Sequence, residues 1–142
     1  MSCGGRSVTL LTWNHECIVG VKAMDDQHGI IMDTLNDLRR MIVEGRDRKE
    51  VSEQLDRVIE FSQMHFLSEE HLLEKQGYPG LLEHREAHQR LLSRLQEAAE
   101  HVKHSENGDI ESLFHFLRTW YSEHIEQLDR QYGPWLNARG VD

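Results

Sequence analysis

Four runs of apolar residues, each with the three-to-four spacing of a helix face, constrain this chain more than any other feature. The first starts at Asp25 and carries Ile31, Leu35, Leu38 and Ile42 before Gly45. The second starts near Asp47 and carries Val51, Leu55, Val58, Ser62, His65, Glu69 and Leu72 or Leu73 before Gly77. After Tyr78-Pro79 the third reads Leu81, His84, His88, Leu91, Leu95, Ala98 or Ala99 and Val102. Asn107-Gly108-Asp109 makes a turn with an N-cap candidate. The fourth run then reads Leu113, Leu117, Trp120 or Tyr121, His124 and Leu128, and Gly133-Pro134 is expected to stop it. Alternating strand patterns are absent. Short links put successive helices antiparallel, so the expected fold is all-α, an up-and-down antiparallel four-helix bundle. Residues 1–24 are expected to form a non-helical N-terminal arm, with Trp13 anchoring it on the bundle. Residues 25–135 make the bundle and 136–142 a tail.

At 142 residues the chain is one domain's worth, long enough to bury a core. Its 25 acidic against 16 basic residues give a formal charge of −9, which argues against a nucleic-acid surface. No apolar stretch is long enough to span a membrane, and Val8 to Thr12 is too short for a signal-peptide core. Cys3 and Cys17 stand in no metal or redox spacing. A soluble, cytoplasmic, acidic monomer is the plain expectation.

The histidines do not fit a bland bundle. There are 10 of them, and the apolar stripes hold several. His65 and Glu69 are four apart in the second stripe, and His84 and His88 four apart in the third. His124 follows Trp120 by four, and His28 precedes Ile31 on the inner face of the first helix. Asp129 lies five after His124. A lone histidine on an apolar face is ordinarily a hydrogen-bonded core residue. Here all four helices contribute one, and two add a carboxylate. Burying so many polar groups without compensation would cost on the order of several kcal/mol apiece, which a small domain cannot spare. A buried metal removes the difficulty. By contrast His15, His71, His101, His104 and His115 lie in the arm or off the stripes and are expected at the surface, as is Glu70.

Seven donors exceed a tetrahedral zinc site. Imidazole and carboxylate without thiolate suit iron, manganese or zinc. Two octahedral metals, bridged by both carboxylates and one solvent-derived oxygen, leave a single position vacant. The spacing of five between His124 and Asp129 is awkward, because five residues of an ideal α-helix overshoot the starting direction by about 140°. A π-type bulge, or a side chain reaching around from the flank, is needed if both face the metals.

The motifs resemble those of the hemerythrin family of oxygen-binding proteins, in its bacterial form. They are Val19-Gly20 with Met24-Asp25-Asp26-Gln27-His28, His65-Phe66-Leu67-Ser68-Glu69-Glu70, Tyr78-Pro79, His84-x-x-x-His88, and Trp120 with His124-Ile125 and Asp129. In order, they run from Trp13 to about Trp135. The resemblance implies two non-heme irons. His84, His88 and His124 would hold one, and His28 and His65 the other. Glu69, Asp129 and an oxo or hydroxo group would bridge them, and dioxygen would bind reversibly at the vacancy on the two-histidine iron. Trp120, Tyr121 and Ile125 would line the oxygen pocket. Tyr121 stands where the family usually has Leu; it is expected to donate to the bound ligand, to narrow the pocket or to be oxidised near the irons, the alternative being that its hydroxyl reaches the bundle's edge. Carriage or storage of dioxygen, rather than an enzyme's turnover, is the leading expectation. The alternatives are an oxygen or redox sensor acting through a separate partner, and a di-iron peroxidase or oxidase.

Overall fold

The computed structural model describes residues 18–104 and 110–142. The expectations for Trp13, for the two cysteines, for His15 and for the Asn107-Gly108-Asp109 turn lie outside the described residues. Helix α1 spans Lys22–Val43, α2 Arg48–Gln76, α3 Leu81–His104 and α4 Ile110–Glu123. A π-helical turn, His124–Asp129, then leads without a break into α5, Arg130–Asn137. The last three segments form the fourth rod of an antiparallel bundle. Each rod packs on its neighbours in sequence, and α4 closes the ring against α1.

Helix ends follow local chemistry. The Asp47 side chain accepts from the Glu50 backbone N–H and caps α2. Gly77 ends α2 in the left-handed region at φ 71° and ψ 34°, where a Cβ would be penalised. Helix α1 begins at Lys22 rather than at Asp25, because Asp25 acts from inside the first turn. Its carboxylate accepts from the N–H groups of Val19 (2.8 Å) and Gly20 (3.2 Å), tying the incoming chain to the helix.

Gly133-Pro134 does not stop the fourth rod, contrary to expectation; the helix runs to Asn137 with Pro134 inside it. The glycine serves packing instead. A Cβ at Gly133 would stand 2.0 Å from the Val19 carbonyl oxygen, so the incoming strand crosses the helix where only glycine fits. Asn137 Nδ2 donates to the Gly20 carbonyl at 2.9 Å and pins the same crossing.

One half of the bundle is conventional. Leu35, Leu38, Val51, Leu55, Val58, Leu95, Ala99, Val102 and Leu117 are buried there as the stripes predict. Among described residues, no helix is long and apolar enough to cross a membrane.

Candidate metal centre

The other half buries imidazoles and carboxylates where a core would hold Leu and Val. His28, His65, Glu69, His84, His88 and Asp129 are all buried, and His124 is nearly so. Their donor atoms fall into two groups, each within 4.8 Å. Glu69, His84, His88, His124 and Asp129 make one group; His28, His65, Glu69 and Asp129 make the other. Both carboxylates belong to both groups.

Asp129 joins the cluster because the backbone loosens. His124 and Asp129 stand at the two ends of the π-helical turn, which widens each turn by about one residue and brings the sixth residue over the first. Asp129 Oδ1 lies 3.0 Å from His124 Nε2 and 3.1 Å from His84 Nε2, and Oδ2 lies 3.0 Å from His28 Nε2. Of the two routes open to it, the bulge is the one taken. The side-chain amide of Gln131 donates to the Gln127 carbonyl within the same stretch.

Glu69 is the hub. Its Oε1 contacts His84 Nε2 and lies 3.1 Å from His88 Nε2, while Oε2 lies 3.3 Å from His65 Nε2. Burial pushes its carboxyl pKa up, but the imidazoles of His65, His84 and His88 outweigh burial and hold it well below the usual carboxylate range. Asp129 is likewise pushed up by burial and by the Glu69 charge, and is drawn well below its usual value by His124 and His28. Burial lowers His84, yet the adjacent carboxylates of Asp129 and Glu69 raise it to about 10.

Apart from the bond between His84 Nε2 and Glu69 Oε1, most of these contacts do not satisfy the groups as hydrogen bonds. His28 Nδ1 and Nε2, His65 Nε2, His84 Nδ1 and both Asp129 oxygens are buried without a hydrogen-bond partner. His88 Nε2 and His124 Nε2 face each other at 3.2 Å. Buried polar atoms are rarely left so. Converging lone pairs with no proton aligned between them are what a cation would satisfy, so the donor set fits a metal.

Partners beyond the seven donors hold three of them, and the sequence reading assigned these partners no role. Gln27 Oε1 accepts from His65 Nδ1 at 2.7 Å, and Gln27 Nε2 donates to Ser68 Oγ at 3.1 Å. Glu70, expected at the surface, lies between α2 and α3, with Oε2 2.8 Å from His88 Nδ1 and Oε1 3.3 Å from Arg85 Nε. The Tyr132 hydroxyl donates to Glu69 Oε2 at 2.7 Å. Such partners fix imidazole orientation and raise ligand basicity. Only Tyr132 left a signal, standing one turn after Asp129 on the same face. The Phe66 ring stacks on His88 at 4.0 Å.

A small cavity adjoins the two-histidine group. His28, Ile31, His65, Phe66, Trp120, Tyr121, His124, Ile125 and Asp129 line it, and its volume of ≈ 10 Å³ is about what one water-sized molecule needs. Trp120, Tyr121 and Ile125 are thus brought together at one cavity. The Tyr121 hydroxyl is not free: it donates to the His28 backbone carbonyl. The ring is buried, so the hydroxyl does not reach the bundle's edge, and its acceptor here is a main-chain oxygen on α1. Burial, then the charges of Asp129 and Asp33, pushes this phenol well up, so it is a neutral donor. His71, His101, His104 and His115 are exposed, as their off-stripe positions predict.

Residues 19–136 match the family described as "Hemerythrin HHE cation binding domain". The chain is 33% identical over 132 residues to the bacteriohemerythrin of Methylococcus capsulatus, covering 92% of this chain and 100% of that protein. It is 30% identical over 132 residues to the bacteriohemerythrin of Stenotrophomonas maltophilia, covering 92% and 84%. A crystal structure of wild-type hemerythrin superposes with a TM-score of 0.81 at 32% identity, covering 88% of this chain and 96% of that one. With its fold, its shared-carboxylate cluster and a match across nearly the whole chain, the protein belongs to the hemerythrin family of cation-binding domains.

Proposed function

We propose that this protein binds dioxygen reversibly at a non-heme pair of irons. His84, His88 and His124 would hold one iron, and His28 and His65 the other. Glu69, Asp129 and an oxo or hydroxo group would bridge them. The observation that carries this reading is the division of the donors into two groups that share both carboxylates, with a one-molecule cavity against the group that has fewer histidines. Two ferrous ions, when bound, can lend a pair of electrons to dioxygen and take them back. The names of the relatives support the same reading.

The chain's own residues supply geometry and dryness. Phe66, Trp120, Ile125 and Ile31 close the cavity and keep bulk water from the bound ligand. Gln27 and Glu70 hold the rings of His65 and His88 from behind. Tyr121 closes one wall and ties α4 to α1 through the His28 carbonyl. Binding rather than turnover is the function proposed.

Metal analysis of protein loaded anaerobically with ferrous iron should return two irons per chain. Its absorption spectrum should gain a charge-transfer band in air and lose it under argon, over repeated cycles. One metal per chain, a band that never reverses, or sustained consumption of hydrogen peroxide would overturn the reading.

A further inference from the structure

The rods of the bundle are not evenly closed. Helix α1 packs tightly on α2, and α2 on α3, but α3 and α4 approach each other less closely. Between α3 and the fourth rod runs an open groove of ≈ 560 Å³, within the size range of small-molecule sites. It is separate from the small cavity at the centre, with which it shares only Trp120 and His124. Its apolar lining comes from both sides: Leu91 on α3, and Phe116, Trp120 and Leu128 on the fourth rod. Leu91, Phe116 and Leu128 are only half-buried, so this lining still faces water.

One end of the groove is cationic. Arg90 and Arg94 are exposed, one turn apart on α3, and both line it. Neither makes a hydrogen bond or ion pair among the described residues. Lys22, Arg40, Arg46, Arg85 and Lys103, by contrast, are each paired with a carboxylate, as expected in a chain of formal charge −9. Like charges four apart on one helix repel, so helix stability gives no reason for the arginine pair. The acidic groups of the groove, Glu83 and Glu123, stand toward its other end, beside His84 and His124, whose rings face each other. An anion is therefore drawn to one end and repelled from the other.

We propose that this groove binds one medium-chain fatty carboxylate, its head held by Arg90 and Arg94 and its hydrocarbon tail lying on Leu91, Phe116 and Trp120. The planar guanidinium fork matches a carboxylate, and two forks one turn apart can share one. An inorganic anion would need no apolar lining, and an uncharged hydrocarbon would need no arginines. Both features in one groove call for both in one molecule. The groove's chemistry does not depend on the iron reading above.

The test titrates sodium octanoate, below its micelle-forming concentration, into the full chain loaded anaerobically with ferrous iron, and follows binding by calorimetry. Saturable binding of one octanoate per chain is expected. Hexanoate, two methylenes shorter, should bind on the order of tenfold more weakly, and acetate, a head without a tail, should not bind measurably. Arg90→Gln and Arg94→Gln should each weaken octanoate about threefold, and together on the order of tenfold, while binding of octanol stays as in the wild type. Lys75→Gln removes an exposed positive charge on α2, outside the groove, and should change nothing. Added salt should weaken octanoate but not octanol. Octanoate that never saturates would overturn the site. So would a double arginine variant that binds like the wild type, a Lys75→Gln protein weakened as much as the arginine variants, or octylammonium binding as tightly as octanoate. Binding to vesicles of phosphatidylglycerol with none to free octanoate would make this face a membrane contact and overturn it too. A chain that takes up no iron yet binds octanoate in this way would sink the oxygen-binding reading and leave the groove's ligand standing.

Discussion

The two halves of the bundle are built on one helical period and filled with opposite chemistry. Near the Gly45 turn, Leu35, Leu38, Val51, Leu55, Val58 and Leu95 close a core in which apolar burial, at about 25 cal/mol per Å², stabilises the fold without help. Near the Gly77 turn the same stripes bring in five imidazoles and two carboxylates, most of whose facing atoms lack aligned hydrogen bonds. The difference teaches that periodicity decides which side chains go inside, while their chemistry decides whether the inside is stable alone. One half folds by exclusion of water; the other is complete only with a cation.

Removing the metal tests that contrast most severely. The metal-free protein should melt well below the loaded form. Its amide exchange should rise along the His65–Glu69 stretch of α2 while Val51–Val58 stays protected. Uniform protection along α2 would show that the halves do not differ. Glu69→Ala should have nearly as large an effect, because it removes the group that His65, His84 and His88 all face. Metal bound per chain should fall below two, and undiminished loading would contradict the hub role.

Leu55→Ala tests the opposite half. Its side chain is fully buried, so truncation should cost about 2–5 kcal/mol in denaturant unfolding. Metal content should stay unchanged. Loss of metal with it would mean that the two halves are not separable.

Acidity sharpens the comparison further. In the metal-free protein His84 is raised to about 10, so its stabilising contribution is complete below the ordinary histidine value near 6.5 and is lost as pH rises through about 10. Glu69 and Asp129 are lowered, so theirs is present above the ordinary carboxylate range and is lost as pH falls beneath it. Thermal melts of metal-free protein should therefore decline on the alkaline side. The loaded protein, whose His84 has already given up its proton, should show no such decline. Iron addition at neutral pH should release protons, detectable in weak buffer.

The smallest effect is expected at Tyr121. Its hydroxyl makes one hydrogen bond, to the His28 carbonyl, so Tyr121→Phe should cost about 0.5–1.5 kcal/mol of stability. Oxygen dissociation should change little. A large acceleration would mean that the hydroxyl leaves that carbonyl for the bound ligand.

The stripe positions of His28, His65, Glu69, His84, His88 and His124 were legible because a helix repeats its inner face every three or four residues. Asp129 was legible as a problem: five residues from His124, it called for a local widening or a reach from the flank, and the backbone widens. Glu70 was misjudged for the same geometric reason. One residue beyond Glu69 turns about 100° away from the centre, and only the presence of α3 makes that direction an interface with His88 and Arg85. Gln27, beside His28, reaches His65 on α2 in the same way.

What the sequence by itself determined is therefore one-dimensional: four amphipathic rods, the glycines that end the first two, the metal-binding character of the buried stripe, and the awkward spacing of Asp129 from His124. All of these depend on residues within a few positions of each other, where the geometry of a single helix suffices. The tertiary structure alone decided what depends on distant backbone. Gly133 accommodates the Val19 carbonyl rather than ending a helix, and Pro134 is carried inside the rod as a result. The Tyr121 hydroxyl goes to a carbonyl on α1, 93 residues away in sequence. Tyr78, Tyr132 and Trp135 meet because the Gly77–Gly80 turn folds over the last helix. A spacing rule carries no information about main-chain groups on another rod, and those groups compete for every buried donor.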